Sequence, residues 1–206
     1  MSSYDERRAL KASWPSTVLH ERHTRSCRVL PTRMHLLDHL PRGAVVAEVG
    51  VAFGDFTARI LERSSPRKLH LVDAWDSERF RDGLAQIQQR YSAEIENGSI
   101  ELHQGLSTDR LGEFPDGTFD WVYIDTDHSY PTTREELRLA AQKVKPGGYI
   151  AGHDFTSGNP VKPVPYGVIE ACNEFCVSDG WSYAFLTLEP SGHFSFALLE
   201  LEPDET

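Results

Sequence analysis

Two short runs hold the residues best able to do chemistry: Asp125-Thr126-Asp127-His128 and, further on, His153-Asp154. Carboxylates drawn together without a cation repel, and one of them is forced to keep its proton. A divalent metal removes that conflict. Asp125 and Asp154 are hard oxygen donors of the kind Mg²⁺ accepts while keeping several waters. Ligation by His153 would favour a softer ion such as Mn²⁺ or Fe²⁺. Asp127 offers a third donor or a base, and His128 has the intrinsic pKa best matched to a general base. Structural duties compete with these roles. Asp127 or Ser129 can cap the helix that follows, Asp154 can form a turn, and His128 can be an exposed loop histidine.

A second set lies upstream in Ala44–Thr57, where the spacing is E-x-G-x-x-x-G-x-x-T: Glu48, Gly50, Gly54 and Thr57. Glycine serves where a chain must turn sharply or let a ligand approach its backbone. The free N–H groups of the helix behind the turn favour a negatively charged ligand group. Strand, glycine turn and helix together hold nucleotide-like cofactors in doubly wound proteins. The glycine spacing departs from the G-x-G-x-x-G of nicotinamide-binding proteins. Lys68–Val72 reads as the next strand, and Asp73 at its end is placed to meet a ribose, or else to cap the next helix. Ala74-Trp75 follow it directly. Gly105 and Ser107 fall on the loop after a third strand, Ser99–His103, where an adenine edge would be read.

These residues need a frame. Residues 1–43 read as irregular or helical, an arm suited to capping the cofactor or to dimerisation. Residues 78–95 show apolar helical spacing through Phe80, Leu84, Ile87 and Tyr91. A loop leads to a fourth strand, Trp121–Ile124. Thr132-x-x-Glu135 reads as a capping box for a helix ended by Pro146-Gly147-Gly148. A fifth strand, Tyr149–Ala151, runs into His153-Asp154, and Thr156–Pro165 forms a Pro/Gly-rich loop suited to a substrate lid or a stiff connector. Beyond a further helix, Tyr183–Leu188 and Phe194–Leu201 pair around Pro190–Gly192, and Glu202–Thr206 is expected to fray. The result is a single α/β domain over 1–206. Its sheet is doubly wound, mostly parallel and seven-stranded, with an antiparallel last strand, and its polar residues gather at the carboxyl ends of the strands.

V-A-E-V-G-V-A-F-G-D-F-T, L-V-D-A-W, Y-I-D-T-D-H-S-Y and P-G-G-Y-I-A-G-H-D-F, in that order, resemble the class I S-adenosylmethionine (SAM) methyltransferases. More narrowly they are similar to the macrocin-type and rhamnosyl O-methyltransferases. The likeness covers roughly residues 42–180. It implies SAM held by Glu48, Gly50, Val51, Gly54, Thr57, Asp73, Ala74, Trp75, Gly105, Ser107 and Asp125. It also implies a Mg²⁺ or Mn²⁺ ion on Asp125 and Asp154, with Asp127 or His128 as the base. The expected reaction is methyl transfer to a hydroxyl of a small polar acceptor, a sugar or natural product. His153 stands where the sugar enzymes often carry a second acid, so a metal-free enzyme using His128 or His153 as base stays open. A nicotinamide-dependent oxidoreductase and a non-catalytic SAM-binding protein are the rival readings.

Composition narrows the partners. A net charge of −10 over 206 residues disfavours nucleic acid. The N-terminus lacks the apolar core of a secretory signal, and no apolar run suffices to span a bilayer. Cys27, Cys172 and Cys176 give no paired framework, which fits a reducing cytoplasm. Cys172 and Cys176 read as core residues, and His20-Glu21-Arg22-His23 lacks metal-site spacing.

Overall fold

The structure is a computed structural model that describes residues 3–159 and 161–201; the acidic tail, 202–206, lies outside them. The arm supplies helix α1 (Tyr4–Ala12), a 3-10 turn (Glu21–His23), strand β1 (Arg28–Leu30) and helix α2 (Arg33–His39). Alternation then follows: β2 (Val45–Val49), α3 (Asp55–Ser64), β3 (Lys68–Asp73), α4 (Gly83–Arg90), α5 (Ser92–Glu96), β4 (Ile100–Gln104) and α6 (Ser107–Glu113). The second half holds β5 (Phe119–Ile124), α7 (Tyr130–Lys143), β6 (Val144–Gly152), α8 (Val168–Asp179), β7 (Trp181–Thr187) and β8 (Phe196–Glu200).

One sheet runs β1-β7-β8-β6-β5-β2-β3-β4. Only β8 is antiparallel to its neighbours, because it returns from β7 by a hairpin and inserts beside β6. The central strands are covered on both faces, which is why Val-Val-Ala-Glu-Val and Trp-Val-Tyr-Ile read as near-continuous apolar runs. One core layer gathers Leu36, Ile60, Leu71 and Trp121; the other gathers Val49, Val122, Leu137 and Phe175. Cys172 and Cys176 are buried in that second layer, and all three cysteines are free.

The sheet has eight strands among the described residues rather than seven. The extra strand is β1, which pairs in parallel with β7 through Arg28↔Phe185. It is three residues long with one buried side chain, too short for alternation to register in sequence. Helix α6 replaces the expected loop; Leu111 is its only buried residue, so it carries little amphipathic signal. The 78–95 segment yields two helices divided at Tyr91. Helix α7 is capped by Ser129, whose Oγ accepts from Thr132 N, with Pro131 in the first turn where its missing N–H costs nothing. The Thr132–Glu135 capping box is therefore not formed. Among the described residues, no helix is long and apolar enough to cross a membrane.

Candidate active site

The carboxyl ends of β2, β3, β5 and β6 open into one cleft of about 1150 Å³. Its first wall is the turn after β2. Gly50 has φ +92°, and a Cβ there would lie 2.0 Å from the Asp125 carbonyl oxygen. The glycine thus lets the turn nest against the end of β5. Gly54 (φ +78°) caps α3, and a side chain there would meet Ile87.

Glu48 is 1% exposed and accepts a 2.6 Å hydrogen bond from Thr57 Oγ1 through Oε2. Its Oε1 is buried without a partner. Burial pushes its pKa up to about 8, so it is mostly neutral near pH 7. An orphaned carboxyl oxygen in the wall of a cleft suits an incoming ammonium group, such as that of SAM's methionine moiety. Thr57 does not line the cleft and contributes through Glu48.

Asp73 lines the cleft, but its carboxylate also braces the glycine turn. Oδ2 accepts from Val51 N (2.7 Å) and Ala52 N (2.9 Å), and Oδ1 accepts from Trp75 N (2.8 Å). A carboxylate has about four lone-pair sites, which leaves room for a ribose hydroxyl. Val51, Ala74 and Ser107 line the cleft as well. Besides Thr57, three expected contacts do not. Trp75 is buried behind the turn, its Nε1 donating to Ala52 O at 2.9 Å. Gly105 faces the Arg110 side chain, and Gly54 faces Ile87.

The opposite wall holds the acid–base cluster. His128 Nε2 lies 2.8 Å from Asp154 Oδ2 and 3.1 Å from Asp125 Oδ1. Burial pulls the imidazole pKa down, but its bonds to Asp125 and Asp154 outweigh that and hold it at about 10. Burial works in the opposite sense on Asp154, and His128 overrides it, taking the carboxyl to about 2. His128 therefore supplies the positive charge that lets two carboxylates coexist. Both residues adopt left-handed backbone (φ +63° and +56°), a conformation that clusters at functional sites. The ligand atoms of Asp125, His128 and Asp154 lie within 4.8 Å of one another, so the donors fit a divalent ion if His128 gives up its proton.

His153 stands beside them, Nδ1 3.7 Å from Asp125 Oδ2 and 3.5 Å from Asp154 Oδ1. Burial lowers its pKa, which keeps it neutral. Asp127 also lines the cleft, yet it stands outside the cluster. Its carboxylate accepts from Ser129 N (2.8 Å) and Thr132 Oγ1 (2.9 Å) and so braces the start of α7.

Sequence reasoning missed three residues of this cleft. Arg33 comes from the arm, its guanidinium 4.5 Å over the Phe56 ring and 3.7 Å from Asp125 Oδ2. His193, on the β7–β8 connection, bonds Asp154 through Nδ1. Tyr166 stacks on His128 with centroids 4.7 Å apart. None belongs to a spaced motif. The prior hints were an arm suited to capping the cofactor and the tendency of loops at this rim to be functional. The expected lid closes on itself: Gly158 bridges Pro165, and Asn159 Nδ2 donates to the Tyr166 hydroxyl at 2.9 Å.

A mostly parallel sheet of this order, with a glycine turn and acids at its carboxyl rim, defines a Rossmann-like methyltransferase fold. The family described as "Methyltransferase domain" matches residues 47–155, and the chain belongs to it. No curated protein matches the chain. Among solved structures, a SAM-dependent methyltransferase from Aquifex aeolicus is 14% identical with TM-score 0.60, covering 81% of this chain and 87% of that one. An O-methyltransferase family protein from Burkholderia thailandensis is 15% identical with TM-score 0.59, over 84% and 56%. SMU.1697c of Streptococcus mutans, in complex with SAH, is 11% identical with TM-score 0.60, over 82% and 96%. The chain thus spans little more than half the length of the Burkholderia protein.

Proposed function

We propose that the chain transfers the methyl group of SAM to a hydroxyl of a small polar acceptor, in the manner of the sugar and natural-product O-methyltransferases. One observation carries the reading: the glycine turn with Glu48 and the His128/His153 cluster line the same cleft. Attack by an alcohol on a sulfonium methyl needs the donor held in line and a group to take the hydroxyl proton. His153 enters as the neutral imidazole and takes that proton. His128, charged between Asp125 and Asp154, bonds both carboxylates and fixes them in place. A Mg²⁺ or Mn²⁺ ion on Asp125 and Asp154, when bound, would lower the pKa of an acceptor oxygen.

Glu48 and Arg33 complement the two charges of SAM's amino-acid end, the carboxyl facing the ammonium and the guanidinium facing the carboxylate. The −10 charge and the cleft of about 1150 Å³ support a small-molecule acceptor over nucleic acid. A cytoplasmic protein, with a homodimer as the assembly to test, completes the proposal.

The test is SAM turnover against a panel of hydroxyl acceptors, with EDTA, Mg²⁺ or Mn²⁺. Methylation of a sugar or phenolic hydroxyl, lost in His153→Gln while SAH binding persists, is expected. Tight SAH binding with no acceptor methylated under any of these conditions would favour a non-catalytic SAM-binding protein.

A further inference from the structure

Away from the cleft, at the edge of the sheet, three side chains from β3 and β4 converge. His70 Nδ1 lies 2.9 Å from His103 Nε2, and Glu101 Oε1 lies 3.7 Å from the same nitrogen. The three ligand atoms fall within 4.8 Å of one another, and none of these residues lines the cleft. We infer that His70, Glu101 and His103 form a second metal site, taking a borderline first-row divalent ion such as Zn²⁺ with water completing its shell.

Two imidazoles and one carboxylate are a donor set that such ions favour. A tetrahedral ion with metal–nitrogen bonds of about 2.0–2.1 Å spaces its ligands by roughly 3.3 Å. The two separations at His103 Nε2, 2.9 and 3.7 Å, are therefore within about half an ångström of need. Phe114 and Phe119 pack edge-on to His70, at 5.2 and 5.5 Å between centroids, and Phe114 lies 4.8 Å from His103. This apolar backing disfavours charge on either ring. Burial takes His70 to about 4 and lowers His103, so both are neutral ligands at pH 7.

In the metal-free pair one ring N–H must donate to the other ring's lone pair. Metal binding through these nitrogens requires that donor ring to shift its proton to its other nitrogen, with no net proton release. Lys68 Nζ donates to Glu101 Oε2 at 2.7 Å. The bond leaves Oε1 toward His103 and orients the carboxylate, while the ammonium charge weakens cation binding. Because β4 is the sheet's edge strand, a bound ion would tie it to β3 beyond the main-chain ladder.

The site is tested on the full chain by Zn²⁺ calorimetry, Co²⁺ visible absorption and thermal unfolding. His103→Gln and Glu101→Gln are compared with Asp154→Asn, which disables the cleft cluster. Glu101 is exposed, so its variant guards against misfolding. Asp154→Asn should keep one Zn²⁺ equivalent and the Zn²⁺-dependent rise in unfolding temperature. Both edge variants should bind that equivalent at least tenfold more weakly, and anomalous scattering should peak between His70 and His103. Edge variants that titrate like the parent, or an anomalous peak confined to Asp125, His128 and Asp154, would overturn the inference.

Discussion

His128 Nε2 lies 2.8 Å from Asp154 Oδ2, a contact that helps raise the imidazole pKa and lower that of the carboxyl. His128, raised from 6.5 to about 10, contributes stability that is complete below pH 6.5 and lost as pH rises through 10. Asp154, lowered from 3.8 to about 2, contributes stability that is complete above pH 3.8 and lost as pH falls through 2. The His128–Asp154 attraction is common to both shifts and is fully present only between the two ordinary values, and Asp125 adds to the rise of His128. Urea unfolding of the parent minus His128→Gln should show a plateau difference there that shrinks toward both extremes. A difference that does not change with pH would refute the coupling.

Asp154→Asn removes one partner of a buried ion pair, and Asn tolerates the left-handed backbone at this position. Losing about 3 kcal/mol of stability is expected, in line with other broken buried pairs. The His128 imidazole should titrate at a lower pH than in the parent, readable by NMR.

Glu48 is protonated near pH 7 and should ionise when an ammonium settles against Oε1. Cofactor binding should then release a proton. Calorimetry of SAH binding in buffers of different ionisation enthalpy measures this directly. Glu48→Gln should abolish the release and weaken SAH.

Arg33 is assigned to the carboxylate of the cofactor. Arg33→Gln should weaken SAH by about tenfold or more, the worth of a charge-assisted hydrogen bond. It should leave 5′-methylthioadenosine, which lacks the amino-acid end, near parent affinity. Equal losses for both ligands would show that Arg33 only supports the fold.

Gly50→Ala would place its Cβ 2.0 Å from the Asp125 carbonyl, at a φ that only glycine adopts easily. Backbone cannot yield as a side-chain tip can. The variant should lose several degrees of unfolding temperature together with SAH binding.

Glu48, Asp73, Asp125 and Asp154 were legible in sequence because each stands at or just past the carboxyl end of an apolar strand, and strand ends of a doubly wound sheet share one rim. Local spacing suffices for that inference. Arg33, His193 and Tyr166 were not legible, because they reach the cleft from an arm, a hairpin and a loop through contacts between residues far apart in the chain. Sequence favoured His128 as the base on intrinsic pKa, a criterion that His153 meets equally. Their intrinsic pKa values are the same; burial and the distance to two carboxylates, which exist only in the folded chain, push one up and the other down.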